Sequence, residues 1–292
     1  VRKLRDAGAV ILGKTNLHEL AYGITTISSL GGQTLNPYDP TRNPGGSSGG
    51  TGAAIAASFA AIGWGSDTCG SIRIPASHNN LVGLRPTKGL SSIDGIIPLA
   101  HTQDVGGPLA RTVTDLAFAL DATVGPDPAD PATQALEGRA LPSFVDALDT
   151  RALAGARLGI LETLFGDAPE DAAVAGVVRG ALERMVELGA DTVTVVIPDF
   201  QQLIAGSSVI QHEFKWDLQD YLSSVPDAPV GDLEEMLALG LNHQALIPIL
   251  ERSTAPASRE TEAYREALAK RRPLRDAVVA ALVAHDLDAL VY

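Results

Sequence analysis

Residues 45–73 read GGSSGGTGAAIAASFAAIGWGSDTCGSIR, and this stretch decides the fold class. Two clusters of glycine and serine, at 45–50 and 66–71, stand on either side of a run of small residues. The run at 49–61 contains no proline and predicts a close-packed helix, whereas 62–65 predicts a short strand. A helix that leads directly into a strand is typical of an α/β protein.

Strands and helices also alternate elsewhere in the chain. The apolar run at 9–12 is bounded by glycines and is too short for a helix, which predicts a buried strand. A helix is predicted after Pro108, capped by Thr112 or Thr114. Further strands are predicted at 155–161 and 191–197, with an amphipathic helix at 171–188 and mainly helical structure beyond 201. We therefore expect a mixed, twisted sheet flanked by helices.

We expect residues 1–292 to form one domain, with a core at 1–125 and a substrate-side region at 126–292. A proline- and aspartate-rich connection at 126–141 joins the two regions. Both ends look cut, because Val1 precedes a helix-like segment directly and Tyr292 closes a strand-like run. We expect the fold to be incomplete at both ends and the chain to be part of a longer protein.

The composition favours chemistry on a small molecule. A net charge of −13 repels nucleic acids and anionic membranes. Cys69 is the single cysteine, so no intrachain disulfide can form and a cytoplasmic setting fits best. The longest weakly polar stretch, at 53–64, is far shorter than the ~20 residues of a membrane span. We expect no nucleic acid or membrane partner, and a homodimer is left open.

The segment GAVILGKT at 8–15 matches the pattern of a phosphate-binding loop. In such a loop, flexible backbone amides wrap the phosphates after a strand. Here the four intervening residues themselves have the composition of a strand, so their amides should be occupied in a sheet ladder. No acidic residue at the end of a second apolar strand presents itself as a clear magnesium partner. We therefore disfavour nucleotide binding.

The two glycine and serine clusters favour acyl chemistry, although ordinary turns with helix-capping serines are the alternative. Each cluster places a serine at a glycine-flanked entry to a predicted helix, where backbone amides favour negative charge. A hydroxyl that attacks a carbonyl needs such amides as an oxyanion pocket, and residues 68–71 offer consecutive donors.

These residues resemble the signature sequence of the amidase signature family. The similarity continues through GLRPT at 83–87, DGIIP at 94–98 and QDVGGPLAR at 103–111. It is strong over residues 1–125 and looser beyond, where EFK at 213–215 looks most like bacterial peptide amidases. Upstream, 8–16 is similar to the strand that precedes the family's Lys-Thr-Asn turn.

The resemblance implies a Ser-Ser-Lys triad that works through an acyl-enzyme. Ser71 is the implied nucleophile, and Ser47 is the implied proton relay, aimed by a cis peptide bond after Gly46. The implied base is a lysine that lies in the family several tens of residues before the Lys-Thr-Asn turn, in a segment without a counterpart here. Neither Lys14 nor Lys88 is expected to replace it, so these 292 residues alone should show little or no turnover.

Other residues are assigned supporting roles. The oxyanion and substrate-binding groups are expected at Thr68, Cys69, Gly70, Gly45 and Gly46. Asp67 and Arg73 should pair across the nucleophile loop, and Ser48 supports it; an ordinary surface ion pair is the alternative for the first two. A thiol nucleophile at Cys69 is disfavoured, since no base for it can be named.

Metal and cofactor chemistry is not expected. The six histidines lack metal-type spacing, and His78 and His101 are more easily explained as structural residues than as cleft residues. The predicted function is hydrolysis of a C-terminal peptide amide or a similar small amide. Two alternatives remain: an ammonia-producing, glutaminase-type subunit of an amidotransferase, and an inactive fragment.

Overall fold

The computed structural model describes residues 1–292 and divides into two compact units. The first unit comprises Val1–Ala147 and Val209–Arg259, and the second comprises Leu148–Ser208 and Glu260–Tyr292. Each unit therefore contains two separate stretches of the chain. This division into compact units does not test whether residues 1–292 form one domain, and that assignment stays a prediction.

The structure contains eleven α-helices and eight strands. In chain order the helices are α1 (Arg2–Asp6), α2 (Gly49–Ala56), α3 (Arg73–His78), α4 (Val113–Thr123), α5 (Asp171–Glu187), α6 (Phe200–Ile204), α7 (Ile210–Ser224), α8 (Leu233–Ala238), α9 (Ile247–Ser253), α10 (Glu262–Ala269) and α11 (Arg271–Ala284). The strands are β1 (Ile27–Ser28), β2 (Gly32–Gln33), β3 (Ile62–Asp67), β4 (Val82–Gly83), β5 (Val105–Ala110), β6 (Arg157–Ile160), β7 (Asp191–Thr194) and β8 (Ala289–Val291).

The first unit is built around an antiparallel sheet in the order β3-β5-β4. β3 pairs with β5 along its whole length, from Ile62 opposite Ala110 to Asp67 opposite Val105. All six residues of β5 are buried, so this strand forms the centre of the unit. β3 ends at Asp67, which places residues 68–71 directly at the end of a strand that the sheet holds on one side.

Helix α2 packs closely against a preceding segment of the same chain, because its first turns consist of glycine and threonine. Gly50 is buried, and a Cβ atom there would overlap the backbone oxygen of Asn16. A backbone oxygen cannot rotate away as a long side chain can. The absence of a side chain at Gly50 thus sets how closely α2 approaches the segment around Asn16.

Gly50→Ala is expected to lower the free energy of unfolding by about 1–3 kcal/mol, the usual cost of overpacking. Helix propensity alone predicts the opposite sign, a gain of about 0.8–1 kcal/mol from Gly to Ala. Gly180→Ala in α5 is the matched control, since its Cβ would meet no atom within 4 Å, and it should show that gain. Urea unfolding of both variants decides this, and a stabilised Gly50→Ala protein would contradict the packing argument.

The second unit contains a parallel sheet in the order β7-β6-β8. Helix α5 connects β6 to β7, as expected of a parallel crossover. Leu161, Val195 and Ile197 form a buried cluster that also contacts residues of α11. No helix of the structure has the length and apolar character that crossing a bilayer requires.

Most of the predicted elements are confirmed. The helix at 49–61 and the strand at 62–65 correspond to α2 and β3, and Thr112 caps α4 by accepting from the Asp115 amide. The elements predicted at 155–161, 171–188 and 191–197 correspond to β6, α5 and β7. The α/β class is confirmed, with the strands distributed over separate antiparallel and parallel sheets.

The buried strand predicted at 9–12 is wrong. Val10 is 81% exposed and Leu12 is 71% exposed, and no strand of the chain pairs with them. An apolar composition makes a segment suitable for a sheet, but a ladder also needs a neighbouring strand. Without this strand, the argument that the amides of residues 9–12 are occupied in a sheet ladder also fails. A phosphate-binding loop at 8–15 is still disfavoured, because no α-helix follows Thr15 directly.

Candidate active site

Ser47 lies in the turn that leads into α2, and it is completely buried. The peptide bond between Gly46 and Ser47 is cis, as the resemblance implies. The Ser47 hydroxyl has no hydrogen-bond partner within the chain. Buried hydroxyls are normally satisfied, so an unpaired one next to a second serine cluster is a candidate functional group.

Ser71 stands two residues before α3 and is 4% exposed. The Ser48 amide donates to the Ser71 carbonyl at 3.1 Å, which brings the two glycine and serine clusters together. The Ser48 hydroxyl donates to the Ser66 carbonyl at 3.2 Å and so ties the same turn to β3. Ser48 thus connects its turn both to the Ser71 loop and to β3, and its supporting role in the reaction stays a prediction.

Asp67 organises the loop that carries Ser71. Its completely buried carboxylate accepts hydrogen bonds from the amides of Gly70, at 2.7 Å, and Ile72, at 3.1 Å. It also forms ion pairs with Arg73 at 3.2 Å and Arg85 at 3.1 Å. Burial opposes ionisation, but the Arg73 hydrogen bond and the Ile72 and Gly70 amides lower the pKa of Asp67. The predicted Asp67–Arg73 pair is present, and it is not an ordinary surface pair.

The amide of Gly70 donates to Asp67, so it is not directed at an oxyanion in this structure. The amides of Thr68, Cys69 and Ser71 have no backbone acceptor within the chain and are the remaining predicted donors of this loop. Desolvation and then the charge of Asp67 raise the pKa of the Cys69 thiol, although the residue as a whole is exposed. A raised pKa reduces the thiolate fraction and disfavours a thiol nucleophile.

A second buried carboxylate, Asp104, holds the nucleophile loop at Thr68. Its oxygens accept from the Thr68 hydroxyl at 2.5 Å and from the amides of Leu99 and Ala100 at 2.9 and 3.0 Å. Burial raises the pKa of Asp104 against the effect of these hydrogen bonds. The Gln103 side chain donates to the Thr68 carbonyl at 2.8 Å. The QDVGGPLAR segment is the sequence signal for these residues, although the motif alone does not show what they contact.

Lys88 is not fully solvated, although its place in a loop favours a solvated lysine. Its ammonium group is partly buried and donates to the Asp104 carbonyl at 3.1 Å. Burial lowers the pKa of Lys88, against the opposing charges of Asp130, Asp104 and Glu213. Lys88 thus supports the segment that braces the nucleophile loop. Lys14, by contrast, is exposed.

One group of side chains has the composition of a metal site. Ligand atoms of His101, Glu213 and Asp217 lie within 4.8 Å of one another. These carboxylates already serve protein donors, since Glu213 accepts from the amide and hydroxyl of Thr102, and Asp217 accepts from the amide and ring of His101. The hydrogen bond to Asp217 raises the pKa of His101. We interpret the group as a network that fastens residues 101–102 to α7.

The family model described as Amidase matches residues 1–292. The chain belongs to the amidase family. Among curated relatives of this chain, the A subunit of the glutamyl-tRNA(Gln) amidotransferase of Thermobifida fusca is 40% identical over 243 residues, which are 81% of this chain and 48% of the relative. The corresponding protein of Trichormus variabilis is 43% identical over 68% of this chain and 41% of its own length.

Solved amidase structures match nearly the whole chain. The peptide amidase of Stenotrophomonas maltophilia is 39% identical with a TM-score of 0.89, over 99% of this chain and 61% of that one. The glutamyl-tRNA(Gln) amidotransferase A subunit of Thermotoga maritima is 30% identical with a TM-score of 0.76, over 97% and 58%. The chain thus spans about half the length of the curated relatives it matches. These matches establish the family and the fold of this chain.

Proposed function

We propose that this amidase hydrolyses a carboxylic amide through an acyl-enzyme on Ser71. The observation that carries the proposal is the joined pair of serine turns, with the unpaired, buried Ser47 hydroxyl in one and Ser71 in the other. Ser71 Oγ attacks the amide carbonyl while its proton passes to Ser47. The C–N bond breaks when the leaving nitrogen takes up a proton, and water then hydrolyses the ester.

The developing oxyanion needs hydrogen-bond donors that are already in place. The amides of Thr68 and Cys69 supply them in our proposal, with Gly45 and Gly46 lining the substrate side. Removing one such donor typically costs about 10²–10³-fold in kcat. Asp67 accepts from the Gly70 amide and Asp104 accepts from the Thr68 hydroxyl. These two bonds keep the donors of the loop from rearranging during the reaction.

A neutral lysine is the proposed base that receives the proton from Ser47. The Ser47 hydroxyl has no partner among the 292 residues, and Lys88 donates to a carbonyl instead. We therefore propose that the base comes from residues outside 1–292, and that these residues alone show little or no turnover. A base lysine must be desolvated to lose its proton near neutral pH.

The proposed substrate is a C-terminal peptide amide or a similar small amide. The likeness to the S. maltophilia peptide amidase supports it, with a TM-score of 0.89 against 0.76 for the amidotransferase protein of T. maritima. The second candidate is a glutaminase-type role in an amidotransferase, because the curated relatives are amidotransferase subunits. The charge of −13 disfavours tRNA as a partner and, with the single cysteine, fits a cytoplasmic enzyme.

Ammonia release by the full-length natural protein tests the proposal. C-terminal peptide amides, small amides and free glutamine are compared at equal concentration, each with and without purified amidotransferase partner subunits. Hydrolysis of peptide amides without a partner supports the first candidate. Glutamine hydrolysis that requires the partner supports the second. Release of ammonia from none of these substrates, together with no covalent labelling of Ser71 by a fluorophosphonate, would refute both.

A further inference from the structure

His18 lies immediately before the short 3₁₀ helix Glu19–Ala21 and is 7% exposed. Its Nδ1 atom accepts hydrogen bonds from the amides of Thr25 at 3.2 Å and Thr26 at 3.1 Å. A ring nitrogen can accept only when it carries no proton. Two backbone donors at Nδ1 therefore require the neutral ring with its proton on Nε2.

Thr26 connects this histidine to the turn of Ser47. It is completely buried, and its φ of 59° lies in the left-handed region, which a β-branched residue rarely occupies. The bonds of the Thr25 and Thr26 amides to His18 hold the backbone there. In this position the Thr26 hydroxyl lies 2.7 Å from the Gly45 carbonyl oxygen and 3.1 Å from that of Ser47.

The Thr26 hydroxyl contacts the backbone on both sides of the Gly46–Ser47 peptide bond. The two carbonyls lie on either side of the Gly46–Ser47 bond, and the Thr26 hydroxyl also accepts from the Gly49 amide at 3.0 Å. The His18 amide donates to the Ser47 carbonyl at 2.9 Å. His18 and Thr26 thus hold the backbone of this turn at several points while leaving the Ser47 hydroxyl unpaired.

We propose that neutral His18 is a positioning residue of the reaction, which acts through Thr26 to hold the Ser47 turn in the geometry for proton relay. The inference rests on the function proposed above for Ser47. His18 itself exchanges no proton with the substrate. Its part is to keep the relay hydroxyl in place, where a displacement of about 1 Å can cost roughly 10²-fold in rate.

The surroundings of His18 determine how its positioning role depends on pH. Burial lowers the pKa of His18; the neighbouring charge of Glu19 opposes this and His243 adds to it. The Glu19 carboxylate is itself held by the Ser29 amide, the Asn242 side chain and the His243 amide. Protonation of Nδ1 breaks both acceptor bonds. The stabilisation is present above the ordinary pKa of about 6.5 and is lost as the pH falls from there through the lowered native pKa.

Two substitutions of His18 in the full-length natural protein separate positioning from a general structural role. His18→Leu removes the acceptor, and we expect roughly 10²-fold slower hydrolysis near neutral pH, mainly in kcat. His18→Asn retains an acceptor oxygen that does not titrate. We expect it to keep the wild-type rate within about threefold at neutral pH and to lose the decline expected of the wild type as the pH falls below about 6.5. His285→Asn, in the second unit, should leave both the rate and its pH profile unchanged.

A leucine variant with the wild-type rate, or an asparagine variant with the wild-type acid decline, would overturn the inference. Thr26 provides an independent comparison: Thr26→Ser should retain most activity, whereas Thr26→Val should lose as much as His18→Leu. The nitrogen NMR shifts of the imidazole report the tautomer without any activity, and a protonated Nδ1 at neutral pH would also overturn the inference. If the wild type neither hydrolyses amides nor labels at Ser71, while Nδ1 is unprotonated, the proposed function has failed and the His18 geometry has not.

Discussion

Replacement of Ser71 by alanine is expected to abolish amide hydrolysis by the full-length natural protein. Loss of the nucleophile from a catalytic unit of this kind costs about 10⁴ to 10⁶-fold in kcat. The Ser71 backbone, which accepts from the Ser48 amide, is unaffected by the change, so the two turns should remain joined. Substrate binding should therefore persist. Steady-state ammonia release measures the loss, and mass spectrometry of fluorophosphonate-treated protein should find no adduct on the peptide that contains residue 71.

Cys69→Ala is the matched variant for this experiment, because Cys69 carries the thiol of the same loop, which is the alternative candidate nucleophile. Only its backbone amide has a role in the proposed mechanism, so the alanine variant should retain activity within a few fold of the wild type. The raised pKa of the thiol agrees with this expectation. Activity that survives Ser71→Ala and disappears in Cys69→Ala would reverse the assignment.

The sequence was sufficient to predict the parts of the site that are local. Glycines around Ser47 and Ser71, together with the family resemblance, predicted two turns at helix entries, and the cis bond after Gly46 is confirmed. The Asp67–Arg73 pair was also predictable, since the two residues lie six positions apart, at the two ends of one loop. Short-range contacts of this kind leave a recognisable pattern in sequence.

Contacts between distant segments left no such pattern. Arg85 reaches Asp67 from 18 positions away, and Thr26 reaches Gly45 from 19. Each is an ordinary polar residue by type, and only the folded chain shows what it touches. His18 is a comparable case, because a ring nitrogen that accepts two amides cannot be distinguished in sequence from any other buried histidine.

The central strand β5 was missed for a different reason. Two glycines and Pro108 argue against a strand, since proline cannot donate to a ladder and is normally confined to edges. In the structure Pro108 lies opposite Trp64, and its carbonyl accepts from the Leu84 amide at 3.1 Å. The proline thus keeps the hydrogen bond that it can make. At 9–12 the error was the reverse, because apolar residues indicated a strand for which the chain provides no neighbour.

Asp67→Ala is expected to produce the largest loss of stability of any substitution in the nucleophile loop. The change removes one completely buried carboxylate and leaves the Gly70 and Ile72 amides without their acceptor. It also deprives Arg85 of an ion-pair partner, although the backbone carbonyl of residue 67 remains as an acceptor for that side chain. Breaking a buried ion pair typically costs about 3–5 kcal/mol, and the partial exposure of both arginines places the expected value near 3 kcal/mol.

Urea unfolding of the Asp67 variants decides between a buried organising carboxylate and a surface ion pair. Asp220→Ala is the control in the same unit, because its pair with Arg259 is exposed on both sides and should contribute under about 1 kcal/mol. Asp67→Asn keeps one acceptor oxygen but loses the charge, so its loss should fall between the two. Because the loop also carries Ser71 and the Thr68 and Cys69 amides, hydrolysis should decrease in the order of lost stability. Equal, small losses for Asp67→Ala and Asp220→Ala would show that the nucleophile loop is held by its backbone and by Asp104 instead.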